Sequence, residues 1–185
     1  VCSSDLYVTM GFNGTGPSVT LGSNGMTYDA NSQNSTLSGV ISGGGSITFT
    51  GSGTTTLSAT NTYTGSTTIN TGATLVNNGS IATSSGVTNN GTFTNNGTTG
   101  AITGNTGTFT NAGTTGDWVN NGTMSNSGTM SNGTNNSLFT NTGAVGTVTN
   151  TGTFANTGTL TSINNSGTFA TTPVTLTDRK STRLN

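Results

Sequence analysis

The chain has no histidine and no glutamate, and only 4% of its 185 residues are charged. General acid–base catalysis draws on His, Glu, Asp, Lys or Tyr at a tuned pKa. Without His, no Ser-His-Asp or Cys-His constellation can form, and zinc lacks its usual ligands. The acids are Asp5, Asp29, Asp117 and Asp178. Asp29 and Asp117 lie far apart in the repeat order, so no carboxylate pair is expected. The bases are Arg179, Lys180 and Arg183, all within the last seven positions. That leaves no basic footprint for nucleic acid and no polybasic membrane patch. Cys2 is the only cysteine, and no apolar run is long enough for a membrane-spanning helix. The expectation is a protein that is not an enzyme and carries no cofactor or metal. Gly43-Gly44-Gly45 fits this. No Asp follows it as in a calcium-binding nonapeptide, and no Lys follows it as in a phosphate loop.

Hydrophobic residues make up 27% of the chain, low for a globule. Disordered chains of that kind usually carry high net charge, whereas here it is −1. A parallel stack accounts for both facts. Identical positions would lie about 4.8 Å apart along the stack, and a charged column would set like charges over one another. Thr, Ser, Asn and small apolar residues avoid that repulsion.

The repeat itself is visible from Asn90 onward, with a period of fifteen residues and a first unit one residue longer. One column reads Phe93, Phe109, Met124, Phe139, Phe154, Phe169. A second reads Asn95, Asn111, Asn126, Asn141, Asn156. A third reads Ile102, Trp118, Gly133, Val148, Ile163, and a fourth Asn105, Asn120, Asn135, Asn150, Asn165. Short periods with fixed columns indicate a solenoid in which each repeat is one coil. The fold expected is all-β, a parallel β-solenoid with about 15 residues per coil in the C-terminal half.

Each unit carries two Asn-x-Gly turns, such as Asn95-Asn96-Gly97 and Asn105-Thr106-Gly107, with Asn135-Asn136-Ser137 a variant. Gly is expected to supply positive φ there, with Asn bonding nearby backbone. Between the turns lie a short arm, such as Thr92-Phe93-Thr94, and a longer one, such as Thr159 to Asn164. The short arm should point Phe93 inward. The long arm should add two inward positions, Met130, Val145, Leu160 and Ile102, Trp118, Val148, Ile163, giving a triangular section. Stacked Asn amides should bond to each other and to turn backbone. Gly133 leaves a gap after Trp118, into which the indole is expected to lean.

Upstream, Ile47-Thr48-Phe49-Thr50 alternates as a half-buried strand does, and Gly51-Ser52-Gly53 and Asn70-Thr71-Gly72 mark turns. Residues 7–37 read as irregular strands and turns, 38–89 as a more regular solenoid segment, and 90–177 as the fifteen-residue repeats. Ser38-Gly39-Val40-Ile41-Ser42-Gly43-Gly44-Gly45, Gly51 to Ala59, and Asn61-Thr62-Tyr63-Thr64-Gly65-Ser66-Thr67-Thr68-Ile69-Asn70 with Thr71 to Leu75 resemble one autotransporter-associated β-strand repeat. The resemblance covers about residues 38–76. It implies a right-handed β-helical passenger of a type V secreted surface protein, an extracellular location on a bacterial cell, and a membrane anchor in a C-terminal region beyond this sequence. Partners would be surface glycans or proteins of host or bacterium, or further copies of the chain.

The ends, 1–6 and 178–185, break the repeat chemistry and resemble translated sequencing-adapter remnants in metagenomic gene models. Asp117-Trp118 reads as a core Trp beside a solvated Asp, and Tyr63 as a packing residue. The Asn-x-Thr triplets, such as Asn121-Gly122-Thr123, follow from turn chemistry. Thr92/Thr94, Thr108/Thr110 and Thr123/Ser125 form a regular outward rank, degrading at Leu138/Thr140, Thr153/Ala155 and Thr168/Ala170. This rank is similar to the flat threonine arrays of insect β-helical antifreeze proteins. The reading is thus a stalk and adhesin fragment. The alternatives are an ice-binding solenoid, or a low-complexity structural surface protein or disordered stretch.

Overall fold

The computed structural model describes residues 6–9, as backbone alone, and residues 16–171. The reading of the two ends as adapter-derived falls outside these residues, Leu6 backbone excepted. Among the described residues there is no helix, and the chain forms a parallel β-solenoid of about 9 turns.

Strand period and turn spacing produce this shape directly. The short arm is a strand in every coil, from Ser35–Leu37 through Thr92–Asn95 to Thr168–Thr171, and these strands form one nine-stranded sheet. Pairing along it is parallel and residue-for-residue: Thr92 opposes Thr108, and Phe93 opposes Phe109. The long arm forms the other two sides. In the middle coils it breaks into a two-residue strand, such as Thr114–Thr115, and a second strand, such as Trp118–Asn120. In the later coils it runs unbroken as Ala144–Asn150 and Thr159–Asn165. Ala144–Asn150 pairs with Thr129–Met130 at its start and with Gly133–Asn135 at its end. It thereby joins the two sides into one thirteen-stranded sheet. Among the described residues, only the first strand departs from the pattern. Leu6–Thr9 runs antiparallel to Ser18–Leu21, which in turn pairs parallel with Ile41–Gly43.

Coil length falls along the chain while the stack continues. Successive coils are offset by 20 residues at Asn34/Thr54, 18 at Asn77/Asn95, 16 at Asn95/Asn111 and 15 at Asn111/Asn126. The extra residue of the first fifteen-residue unit is absorbed as a bulge. Val87 opposes Ile102 but Thr88 opposes Gly104, so Thr103 has no opposite number on the preceding strand.

The core is a column. Phe93, Phe109, Phe139 and Phe154 are fully buried, as are Ile102, Trp118, Met124 and Val148. Phe169 and Ile163, in the last described coil, are half-buried against it. Phe139 and Phe154 stack with ring centroids 4.7 Å apart, and Phe93 and Phe109 at 5.1 Å. Met130, Val145 and Leu160 point inward, and Thr99 and Thr115 occupy the same column upstream, also buried.

The expected role of the turn glycines needs correction. No glycine of the fifteen-residue repeats has positive φ; the positive values fall upstream, for example at Gly51 and Gly72. At the Asn-x-Gly turns of the repeats, Gly is required because the preceding coil lies too close. A Cβ at Gly113 would strike the Gly97 carbonyl, and one at Gly128 the Gly113 carbonyl. The turns are tight because backbone stacks on backbone, leaving no room for a side chain.

Candidate functional site

Asn95 lies two residues beyond Phe93 on one strand, so it shares the inward face. Its neutral amide can be buried only if its donors and acceptor are satisfied. The coils on either side do this. Asn77 Nδ2 donates to Asn95 Oδ1, Asn95 to Asn111, Asn111 to Asn126, Asn126 to Asn141 and Asn141 to Asn156, each at 2.6–2.8 Å. A second ladder runs Asn89, Asn105, Asn120, Asn135, Asn150, Asn165 at the same distances. The remaining amide hydrogen reaches turn carbonyls, as Asn111 Nδ2 does to Gly113 O at 3.1 Å and Thr129 O at 3.3 Å. All of these asparagines are buried except Asn165, which is half-buried. They are therefore core residues as much as turn residues.

Both ladders point the same way, donors toward the C-terminal coils. The first acceptor of each is consequently an orphan. Asn77 Oδ1 and Asn89 Oδ1 are buried without a partner. The residues that oppose them on the preceding coil are Leu57 and Ile69, which have no donor to offer.

Trp118 is 2% exposed, and its Nε1 donates to Ser131 O at 3.1 Å. The indole occupies the space above Gly133, where a Cβ would run into the ring. Asp117 is exposed, and its Oδ1 accepts the Asn132 backbone N–H at 3.2 Å. An open groove of about 730 Å³ passes here, bordered by Thr103, Asp117, Asn132 and Thr134. It offers one carboxylate and no exposed aromatic face on which a sugar could stack. Tyr63 is fully buried, with its hydroxyl 2.6 Å from Thr67 Oγ1. Burial pushes its pKa from 10.0 up to about 12, against the opposing effect of the hydrogen bonds from Thr67 and Ser84.

The exterior divides into two chemistries. At the corners, polar side chains are satisfied by one another. Asn96 Nδ2 donates to Asn78 Oδ1 at 2.8 Å, and Thr106 Oγ1 to Asn90 Oδ1 at 2.8 Å. Asn136 Nδ2 donates to Asn121 Oδ1 at 2.9 Å, and Thr151 Oγ1 to Asn136 Oδ1 at 2.9 Å. On the nine-stranded face, two outward columns flank the inward Phe column. One contains Thr54, Thr74, Thr92, Thr108, Thr123, Leu138, Thr153 and Thr168. The other contains Thr36, Thr56, Val76, Thr94, Thr110, Ser125, Thr140, Ala155 and Ala170. The threonine rank read in the repeats therefore continues upstream through residues 36–76. Unequal coil lengths conceal it in the sequence.

No group of three or more His, Cys, Asp or Glu that could hold a metal ion occurs among the described residues. No helix among them is long and apolar enough to cross a membrane. The chain matches no family model, no curated protein and no solved structure. The likeness of residues 38–76 to an autotransporter-associated repeat rests on their motif residues and on the parallel solenoid they form.

Proposed function

We propose that the chain is a non-catalytic segment of a secreted or surface-anchored bacterial protein, serving as a stalk whose sides also adhere. The observation that carries this reading is the unbroken stack. Parallel backbone pairing joins every coil to the next, and from Asn77 and Asn89 onward two buried asparagine ladders reinforce it, so the segment is a stiff spacer. At about 4.8 Å per coil it spans roughly 40 Å. Apart from the Asp29 and Asp117 carboxylates, its sides are ranks of Thr, Ser and Asn, suited to many weak contacts with surface glycans, surface proteins or further copies. The autotransporter resemblance supports the cell-surface setting and an anchor elsewhere in the protein.

The test is display of the chain on a bacterial outer surface with a measured clumping rate. Cells carrying it should clump faster than cells carrying an unrelated spacer of equal length. Equal clumping would sink the adhesive part of the proposal. Removal of residues 121–135, one coil, should leave a cooperative β fold and a shorter rod. Collapse of the fold on that deletion would argue against a modular stalk.

A further inference from the structure

We propose that Asn90-Gly91 is a self-modification site, where the folded chain loses ammonia and converts Asn90 to aspartate and isoaspartate. The inference is independent of the stalk reading.

The chemistry belongs to the Asn-Gly link. A deprotonated backbone nitrogen attacks the side-chain amide carbon of the preceding asparagine, and glycine, lacking Cβ, obstructs that approach least. Here the Gly91 N–H gives its proton to solvent base, and a bond forms from that nitrogen to Asn90 Cγ. Negative charge gathers on Oδ1. The Cγ–Nδ2 bond then breaks, and Nδ2 takes a proton from water and departs as ammonia. Water opens the five-membered imide that remains. Opening at Cγ gives aspartate. Opening at the main-chain carbonyl gives isoaspartate, with the chain running through Cγ. Nothing is oxidised or reduced.

Six Asn-Gly links lie among the described residues, and three groups distinguish them: the nucleophile, the developing oxyanion and the leaving amide. At Asn90 all three are favourable. Thr106 Oγ1 donates to Asn90 Oδ1 at 2.8 Å, at the atom where negative charge develops. Asn90 Nδ2 donates to no described residue, so departing ammonia breaks no contact. The Gly91 N–H meets no acceptor among the described residues, although Gly107 and Gly152, at the same corner of later coils, donate to Asn89 O and Asn135 O. The cause is the coil beneath. Its corner is a different turn, closed by Ala73 N–H to Asn70 O at 3.0 Å with Gly72 at positive φ. Asn90 and Gly91 are half-buried, within reach of water.

The other links each lack something. The Gly25, Gly79 and Gly97 N–H groups donate to Gly22 O, Leu57 O and Asn77 O. Asn96 Nδ2 is also tied to Asn78 Oδ1. Gly122 N–H donates to Asn120 Oδ1 at 3.2 Å, whereas the equivalent Asn89 Oδ1 beside Gly91 has no partner. Gly133 lies in a strand paired on both sides. Beside it the Asp117 carboxylate holds the Asn132 backbone N–H and opposes a second negative charge.

The product puts a carboxylate into a neutral corner. Its isoaspartyl form also inserts a methylene where a Cβ on Gly91 would already strike Asn70 O and Ala73 O. The experiment incubates the full chain in mildly alkaline buffer, with circular dichroism to follow the fold. Pepsin peptides are then read by mass spectrometry for the exchange of amide for acid and for isoaspartate. Asn90 should react first while the β spectrum persists, and the urea-unfolded chain should react at all six links. Asn90→Gln, which would need a larger ring, should remove this reaction and leave the other links unchanged. Thr106→Val keeps the shape of an exposed side chain and should slow the Asn90 reaction by about 3- to 10-fold, the worth of one modest hydrogen bond. Another link reacting ahead of Asn90, equal rates at all six, or an Asn90 that stays intact in the folded chain would overturn the proposal. So would a Thr106→Val chain that keeps both its fold and the wild-type rate.

Discussion

At position 133 the inner column needs no side chain, because Trp118 of the preceding coil already fills the space. The gap was legible in the sequence as a Gly directly after a Trp in one column. The bond from the indole to Ser131 O was not, since nothing in the repeat marks that carbonyl. Gly133→Leu should destabilise the chain by about 1–3 kcal/mol through overpacking, read from urea unfolding. A Trp118→Ile/Gly133→Leu double variant restores the column of its neighbours and should recover most of that loss. A stabilising single Gly133→Leu change would show that the indole does not occupy the gap.

At the scale of an element, the ladder has one unavoidable flaw and many good rungs. Because all amides point one way, a ladder of any length leaves one orphan acceptor at its start. Changing Asn77 to Leu moves the orphan to Asn95. Changing Asn126 to Leu creates a second one, at Asn141 Oδ1, within the core. The Asn126→Leu variant should therefore be the less stable of the two by about 1–3 kcal/mol, the cost of one unsatisfied buried polar group. Equal losses in chemical denaturation would mean the rungs do not depend on their direction. The asparagine columns were legible as columns, but Asn-x-Gly also reads as ordinary turn chemistry. The signal for burial was parity. Asn95 is two residues from Phe93 on one strand, so both must face inward. Thr99 and Thr115 were hidden by their polarity, although they share a column with Met130, Val145 and Leu160. The glycines gave no sequence clue between positive φ and close approach, because both demand the absence of Cβ. A substitution separates the two. Gly128→Ala should unfold the chain more readily than Gly72→Ala, since the added Cβ meets the Gly113 carbonyl in one case and open space in the other. Thermal melts that rank them the other way would remove the steric argument.

For the whole molecule, scarcity of charge decides how stability responds to solution conditions. Salt screens interactions between charges, and the fold is held by apolar columns and neutral amides. What stands out is the buried phenol. Folding raises the Tyr63 pKa from 10.0 to about 12. The unfolded chain therefore releases this proton first as pH rises, and between those values the folded state binds more protons. Tyr63 exacts no pH-dependent loss below pH 10. Stability should then fall by about 1.4 kcal/mol per pH unit, toward a plateau above the folded value. Tyr63→Phe removes the titrating proton and should flatten that limb, at the cost of the hydrogen bond to Thr67 at neutral pH. Urea unfolding of both proteins at pH 9, 11 and 12 measures the difference. An alkaline loss undiminished in Tyr63→Phe would place its origin at another tyrosine or in the backbone stack itself.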